Sequence, residues 1–239
     1  RSVGRMTLLQ NVPTVGTGGM IQWGKAFGAR NFFQAGVDWH WVDGESVEDG
    51  LDATRGLSIT LHRGAGGTQQ SSGVYLQDII AASNLQITLS ARVDNWRNYN
   101  AHNLEYSVPS GVFTANNIAS CATVLAGACL ADRTDTVVSP RAAAIYHVND
   151  RVSIWGDVTS GFRAPTLNEL YRRFSVGTVL TLANNLLGPE RLVGGELGVN
   201  FAPAKNVTAR VTWYDNSMTN PVDRKSTRLN SSHVSESRM

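Results

Sequence analysis

Histidines, cysteines and paired carboxylates are the side chains through which these 239 residues could do chemistry, and they are scattered. The five histidines, His40, His62, His102, His147 and His233, share no metal-ligand spacing, so neither a metal nor a cofactor is expected. His40 lies two residues after Asp38, which would put both on one face of an extended strand, but no nucleophile is placed with them. No catalytic residue is therefore expected, and the chain does not read as an enzyme. The glycine runs at Gly16–Gly19 and Gly64–Gly67 follow no strand–helix pattern that could cradle a phosphate, and read as mobile loop tips. Asn206-Val207-Thr208 matches a glycosylation acceptor by pattern alone.

The elements that would position any of these residues show a period of two. In Leu85–Asp94, Leu85, Ile87, Leu89, Ala91 and Val93 alternate with Gln86, Thr88, Ser90, Arg92 and Asp94. Phe33–Trp41, Val193–Phe201 and Val207–Tyr214 repeat the pattern. Weaker segments follow at Met20–Ala26, Gly73–Ile80, Arg141–His147 and Val152–Ser160, with a frayed strand at Arg5–Gln10. Trp155 breaks the pattern by falling on the polar side. Short connections (Phe27–Asn31, Ala81–Asn84, Val148–Arg151, Ala202–Asn206) alternate with long ones (Val42–Ser72, Trp96–Pro140, Gly161–Arg191), Asn11–Gly19 alone being modest.

No run of eighteen apolar residues is present, so a membrane-embedded chain would have to be a closed barrel, the other architecture that satisfies every backbone polar group. The expected fold class is all-β: an antiparallel up-and-down transmembrane β-barrel portion of eight or nine strands, with long extracellular loops and short periplasmic turns. Asp38, His40, Arg92, Asp94, Glu196 and Arg210 fall on the polar side, expected to face the lumen, because Arg or Lys on the lipid side costs about 2–4 kcal/mol near mid-bilayer. Trp41, Trp96 and Trp213 lie near strand ends that run toward long loops, as an interfacial aromatic belt would. A loop outside the membrane faces an oxidising compartment, so Cys121 and Cys129, eight positions apart, read as a disulfide worth about 2–3 kcal/mol, with two free thiols as the alternative.

The net charge of +2 comes from residues 223–239; without them basic and acidic residues are equal in number, with no basic stripe for nucleic acid. That Ser/Arg/Asn-rich tail loses the alternation and looks appended or disordered, which divides the chain into a barrel part, 1–222, and a tail, 223–239. The chain has no amino-terminal signal and does not begin with Met, so it reads as an internal piece of something longer.

Ser139–Pro221 resembles the later barrel of TonB-dependent outer-membrane receptors. The likeness rests on Ser139-Pro140-Arg141 opening a strand, on Phe162-Arg163-Ala164-Pro165-Thr166 ending the next, and on Pro189–Gly198 opening a third. Gly73–Asp78 and Ala91–Asp94 resemble the family's earlier hairpin, and the likeness runs from about Met20 to Pro221. It implies a barrel of 22 strands plugged by an amino-terminal domain, importing a large nutrient such as an iron chelate or cobalamin. The implied partners are the TonB energy-coupling complex, reached through the plug, the outer-membrane lipid and the nutrient itself. The stretch takes in no plug, coupling segment or final strand. Thr166–Phe174 is the one helix-like piece; Asn168, Glu169, Tyr171, Arg172 and Arg173 in it, with Arg163 just before it, would contact ligand or pack the loop against the barrel rim. The alternatives are another outer-membrane barrel, enzyme or passive porin, and a soluble β-sandwich adhesin.

Overall fold

The computed structural model describes residues 6–52, 54, 58–117, 130–176, 179–181, 183–204 and 206–221. Cys121, Cys129 and the tail 223–239 lie outside them. Alternation dictates extended backbone, and the described chain is almost entirely strand: β1 (Leu8–Asn11), β2 (Thr14–Phe27), β3 (Asn31–Asp52), β4 (Ser58–Ala82), β5 (Leu85–Ser107), β6 (Phe113–Asn117), β7 (Arg133–Asn149), β8 (Val152–Arg163), α1 (Leu167–Tyr171), β9 (Phe174–Val176), β10 (Val179–Thr181), β11 (Glu190–Ala204) and β12 (Val207–Thr219).

Neighbours pair antiparallel in the order β3-β4-β5-β7-β8-β11-β12. Both β1 and β2 pair with β3, and β6 with the far end of β5. The sheet is a meander that does not close on itself, the form a portion of a larger barrel takes. β9 and β10 make a separate small hairpin. Among the described residues three tight turns occupy one end, where the short connections predict them. Gly28 supplies the positive φ of the first; in the two-residue turn after β4, Ser83 takes φ 54° itself. The Asn149 side chain accepts from the backbone N–H groups of Arg151 and Val152, fixing the turn between β7 and β8.

The long connections are corrected in part. Val42–Asp52 and Ser58–Ser72 are strand, so β3, β4 and β5 reach 22, 25 and 23 residues. That is more than twice the roughly 9–11 residues a tilted spanning strand needs. Gly16–Gly19 and Gly64–Gly67 lie inside β2 and β4 rather than at loop tips. The physical reason is that past the bilayer neither face meets lipid. Alternation then lapses while the backbone ladder continues.

Register assigns the two faces, because paired residues share one. Asp38 pairs with Gly73, Gly73 with Asp94 and Asp94 with Val137, while Val37 pairs with Val74, Val74 with Val93 and Val93 with Val138. Followed through β8 and β11, the first row reaches Asp157, Glu196 and Asn200, and the second Ile154, Leu197 and Val199. The second face is apolar and uncovered: Leu89, Val199 and Val211 are 49%, 41% and 73% exposed. Trp23, Phe27 and Phe33 cluster on it near the short turns, with ring centroids 6.2–6.4 Å apart. Trp41 and Trp213 lie on it too, but Trp96 does not: two residues beyond Asp94, it points to the polar face and is 1% exposed. The expected belt loses that member by parity.

Candidate functional site

The charge clusters of the polar face include one around Arg92 and one beneath the segment that follows β8. In the first, Asp38, Gly73 and Asp94 stand side by side across β3, β4 and β5. Arg92 lays its guanidinium over Gly73. Nη1 and Nη2 donate to the Asp38 oxygens at 2.7 and 2.9 Å, and Nε donates to both Asp94 oxygens at 2.8 and 2.9 Å. A Cβ on Gly73 would collide with the guanidinium, so glycine there makes room for the bridge. His40 shares the face, paired with Ser71 and Gly18.

Glu196 and Arg210 share the face several strands away, opposite Asp157 and Asn200. Trp155, the exception to the alternation, is explained here. Its ring covers Gly198 and stacks with the Arg210 guanidinium 4.4 Å from a ring centroid. An aromatic ring on the polar face thus has a cation as its partner. Of the six residues expected to face the lumen, three meet in one cluster and three are distributed over the same face.

The second cluster is built by the segment after β8. Thr166 caps α1 in a capping box with Glu169, which fixes the direction in which the chain turns back. Leu170 and Tyr171 then pack with Ala101 and Leu130, at 1% to 8% exposure, against Leu167 and Leu187. The segment from Ala164 to Arg173 is therefore a strap lying across the polar face of β5 and β4 as far as β3. Gln69 donates to the Pro165 carbonyl at 3.1 Å and Asn103 to the Tyr171 carbonyl at 2.7 Å. Arg172 donates to Glu48 through Nε at 2.8 Å and through Nη2. Arg173 reaches Glu105 at 3.0 Å, and Arg63 binds Glu105 and approaches Glu48 at 3.7 Å.

Both carboxylates are buried, Glu48 at 3% and Glu105 at 7% exposure. Burial pushes the Glu105 carboxyl up, but hydrogen bonds from Thr114 and Arg63 and the charges of Arg63 and Arg173 outweigh it and hold the group below the usual carboxylate range. Glu169 behaves alike: burial raises it, while Arg163 and the Thr166 backbone and hydroxyl bring it below the usual range. Burial pushes the Tyr171 hydroxyl up.

The strap candidates are thus mostly engaged with the protein. Arg163 donates to Glu190 at 2.6 Å and to Glu169 at 2.9 and 3.1 Å, Glu169 closes the capping box, Tyr171 is buried and Arg172 is bound to Glu48. Asn168 borders a shallow cavity of about 240 Å³ with Gly44 and Gln69. Glu48, Arg63 and Glu105 are site residues that sequence reasoning missed. The signal is their register, Glu48 opposite Arg63 and Arg63 opposite Glu105, which falls in stretches whose side-chain pattern predicts loops. A second cavity of about 260 Å³ lies between these residues and Arg172 and Arg173. Among the described residues no group of three or more histidine, cysteine or carboxylate side chains could hold a metal ion.

An open antiparallel meander with one bare apolar face, one charged face, tight turns at one end and a strap at the other is a piece of a transmembrane β-barrel wall. The chain belongs to the family described as TonB dependent receptor-like, beta-barrel, whose model matches residues 5–234. It is a family of transport receptors of the bacterial outer membrane. No curated protein sequence matches the chain. Among solved structures it is similar to the ferric yersiniabactin uptake receptor FyuA of Yersinia pestis, at 11% identity and a TM-score of 0.64, covering 89% of this chain and 30% of that one. The copper transporter OprC follows at 16% identity and 0.67, covering 89% and 31%. The ferric citrate transporter FecA follows at 13% and 0.53, covering 92% and 30%. The chain therefore spans under a third of the length of these proteins.

Proposed function

We propose that these residues form one sector of the wall of an outer-membrane receptor that imports a large, scarce nutrient, an iron or other metal chelate or cobalamin. The apolar face meets lipid, and Asp38, His40, Arg92, Asp94, Glu196 and Arg210 face the lumen. Import is coupled to the TonB complex through the plug domain of the complete receptor. The observation that carries the reading is the register itself, which sends every one of those six polar side chains to one face and Leu89, Val199 and Val211 to the other. FyuA, OprC and FecA handle ferric yersiniabactin, copper and ferric citrate, which supports the nutrient class without choosing within it.

Arg163, Asn168, Glu169, Tyr171 and Arg172 serve as the scaffold of the strap, holding it over the mouth of the barrel. A disulfide between Cys121 and Cys129 ties the tip of the loop that contains them. The sector has no catalytic task.

Growth on single nutrient sources tests the reading. A strain lacking the complete receptor should fail to grow on one metal chelate or on cobalamin, recover with the intact gene, and fail again when TonB is deleted. Growth that does not need TonB would refute energy-coupled import. Single cysteines at Leu89 and Arg92 test the faces, the first reacting with a lipid-soluble maleimide and the second with a charged one.

A further inference from the structure

Beneath the strap, three guanidinium groups converge on two carboxylates. Arg63 comes from β4, Arg172 and Arg173 from the strap, and Glu48 and Glu105 from β3 and β5. Among the described residues the cluster sets three guanidinium groups against two carboxylates. Each guanidinium carries five N–H donors in a rigid fork, and the carboxylates, themselves buried, hold those forks in place. Arg173 remains 42% exposed and Arg63 23%. The cavity of about 260 Å³ opens beside them on the polar face. Ser46 borders it as well, its oxygen accepting from Gln10 at 3.1 Å.

Guanidinium charge in a partly desolvated pocket is stabilised by each counter-charge that reaches it. Arginine forks held by carboxylates are donors already oriented, so an incoming anion loses little in arranging them. Their planar geometry matches two oxygens of a carboxylate or phosphate at once. The volume admits one such group and not an entire chelate. The face on which the cavity opens is turned away from the lipid-facing side chains, so the group belongs to a molecule in the barrel mouth rather than to a lipid headgroup.

We propose that this cavity is a subsite for one anionic oxygen group, a carboxylate or phosphate, of the ligand, with Arg63 and Arg173 as the contacting donors and Arg172 as a positioning residue held by Glu48. The proposal rests on the receptor reading and adds the charge class of the ligand. It is tested on the complete receptor in detergent by calorimetric titration, at low ionic strength, with citrate, with inorganic phosphate and with glucose as a neutral probe. At least one anion should bind saturably and glucose should not. Arg173→Gln, at a side chain 42% exposed, should weaken anion binding at least tenfold, as should Arg63→Gln. Arg97→Gln, whose partner Asp132 lies outside the cluster, should change it less than twofold. Anion affinity equal in Arg173→Gln and the unaltered receptor, or no anion binding, overturns the subsite. If anions bind as expected but growth does not depend on TonB, the receptor reading fails and the subsite stands. If growth depends on TonB but no anion binds, the subsite fails and the receptor reading stands.

Discussion

Arg92 and Asp38 are joined across an intervening strand, the guanidinium of β5 passing over Gly73 of β4 to bind both carboxylate oxygens of β3. Three strands are thereby tied on the polar face by side chains as well as by the backbone ladder. Gly73→Ala should displace the guanidinium and lower stability by about 1 kcal/mol, since both partners are a third exposed and screened. Urea unfolding of the complete receptor reconstituted in lipid vesicles reads the change. A stability equal to that of the unaltered protein would show that the bridge contributes nothing.

The two faces should respond oppositely to charge. Leu89→Arg or Val211→Arg on the apolar face should cost about 2–4 kcal/mol near mid-bilayer. Arg210→Leu on the polar face should cost less than about 1 kcal/mol, the scale of one cation–π contact. The same unfolding measurement compares them, and equal costs would contradict the assignment of the faces.

The strap should loosen in acid. Glu105 and Glu169 both lie beyond the spanning part of the strands, and both are held below the usual carboxylate range. A group whose folded pKa is depressed stabilises fully above its unfolded value, and that stabilisation fades as pH falls through the lower, folded value. A spin label at Asn168→Cys should therefore be immobile at neutral pH and gain mobility only as pH drops below the usual carboxylate range. Glu105→Gln should release part of the strap at every pH and flatten the profile. A label whose mobility rose with increasing pH would have the wrong sign.

Tyr171 anchors the strap by its ring rather than by its hydroxyl. The side chain is 2% exposed, and among the described residues its oxygen has no hydrogen-bond partner. Tyr171→Phe should leave stability within about 1 kcal/mol of the original. Tyr171→Ala should cost about 3–5 kcal/mol locally by opening a cavity against Ala101 and Leu170. Hydrogen exchange over 164–173 measures both; equal effects would assign the anchoring to the oxygen.

Much of the wall was legible because a strand between lipid and water must alternate. Leu85–Asp94 and Val207–Tyr214 declare their two faces residue by residue, and the tight turns follow from the gaps between such runs. The extension of β3, β4 and β5 was not legible. Beyond the membrane, Gly64–Gly67 and Asp43–Asp49 sit in a ladder that water would tolerate in many conformations, so pairing rather than side-chain pattern keeps them extended. Trp155 looked like a blemish because its partner, Arg210, is 55 positions away in sequence and adjacent only once β8, β11 and β12 align.

The amino-acid order alone thus determined the strands of the membrane zone, the polarity of their faces and the family, all of which depend on residues within a few positions of one another. Tertiary structure alone decided where the strap lies. Arg172 meets Glu48 across 124 positions and Arg173 meets Glu105 across 68, distances over which no periodicity persists and only a folded sheet can bring charge to charge.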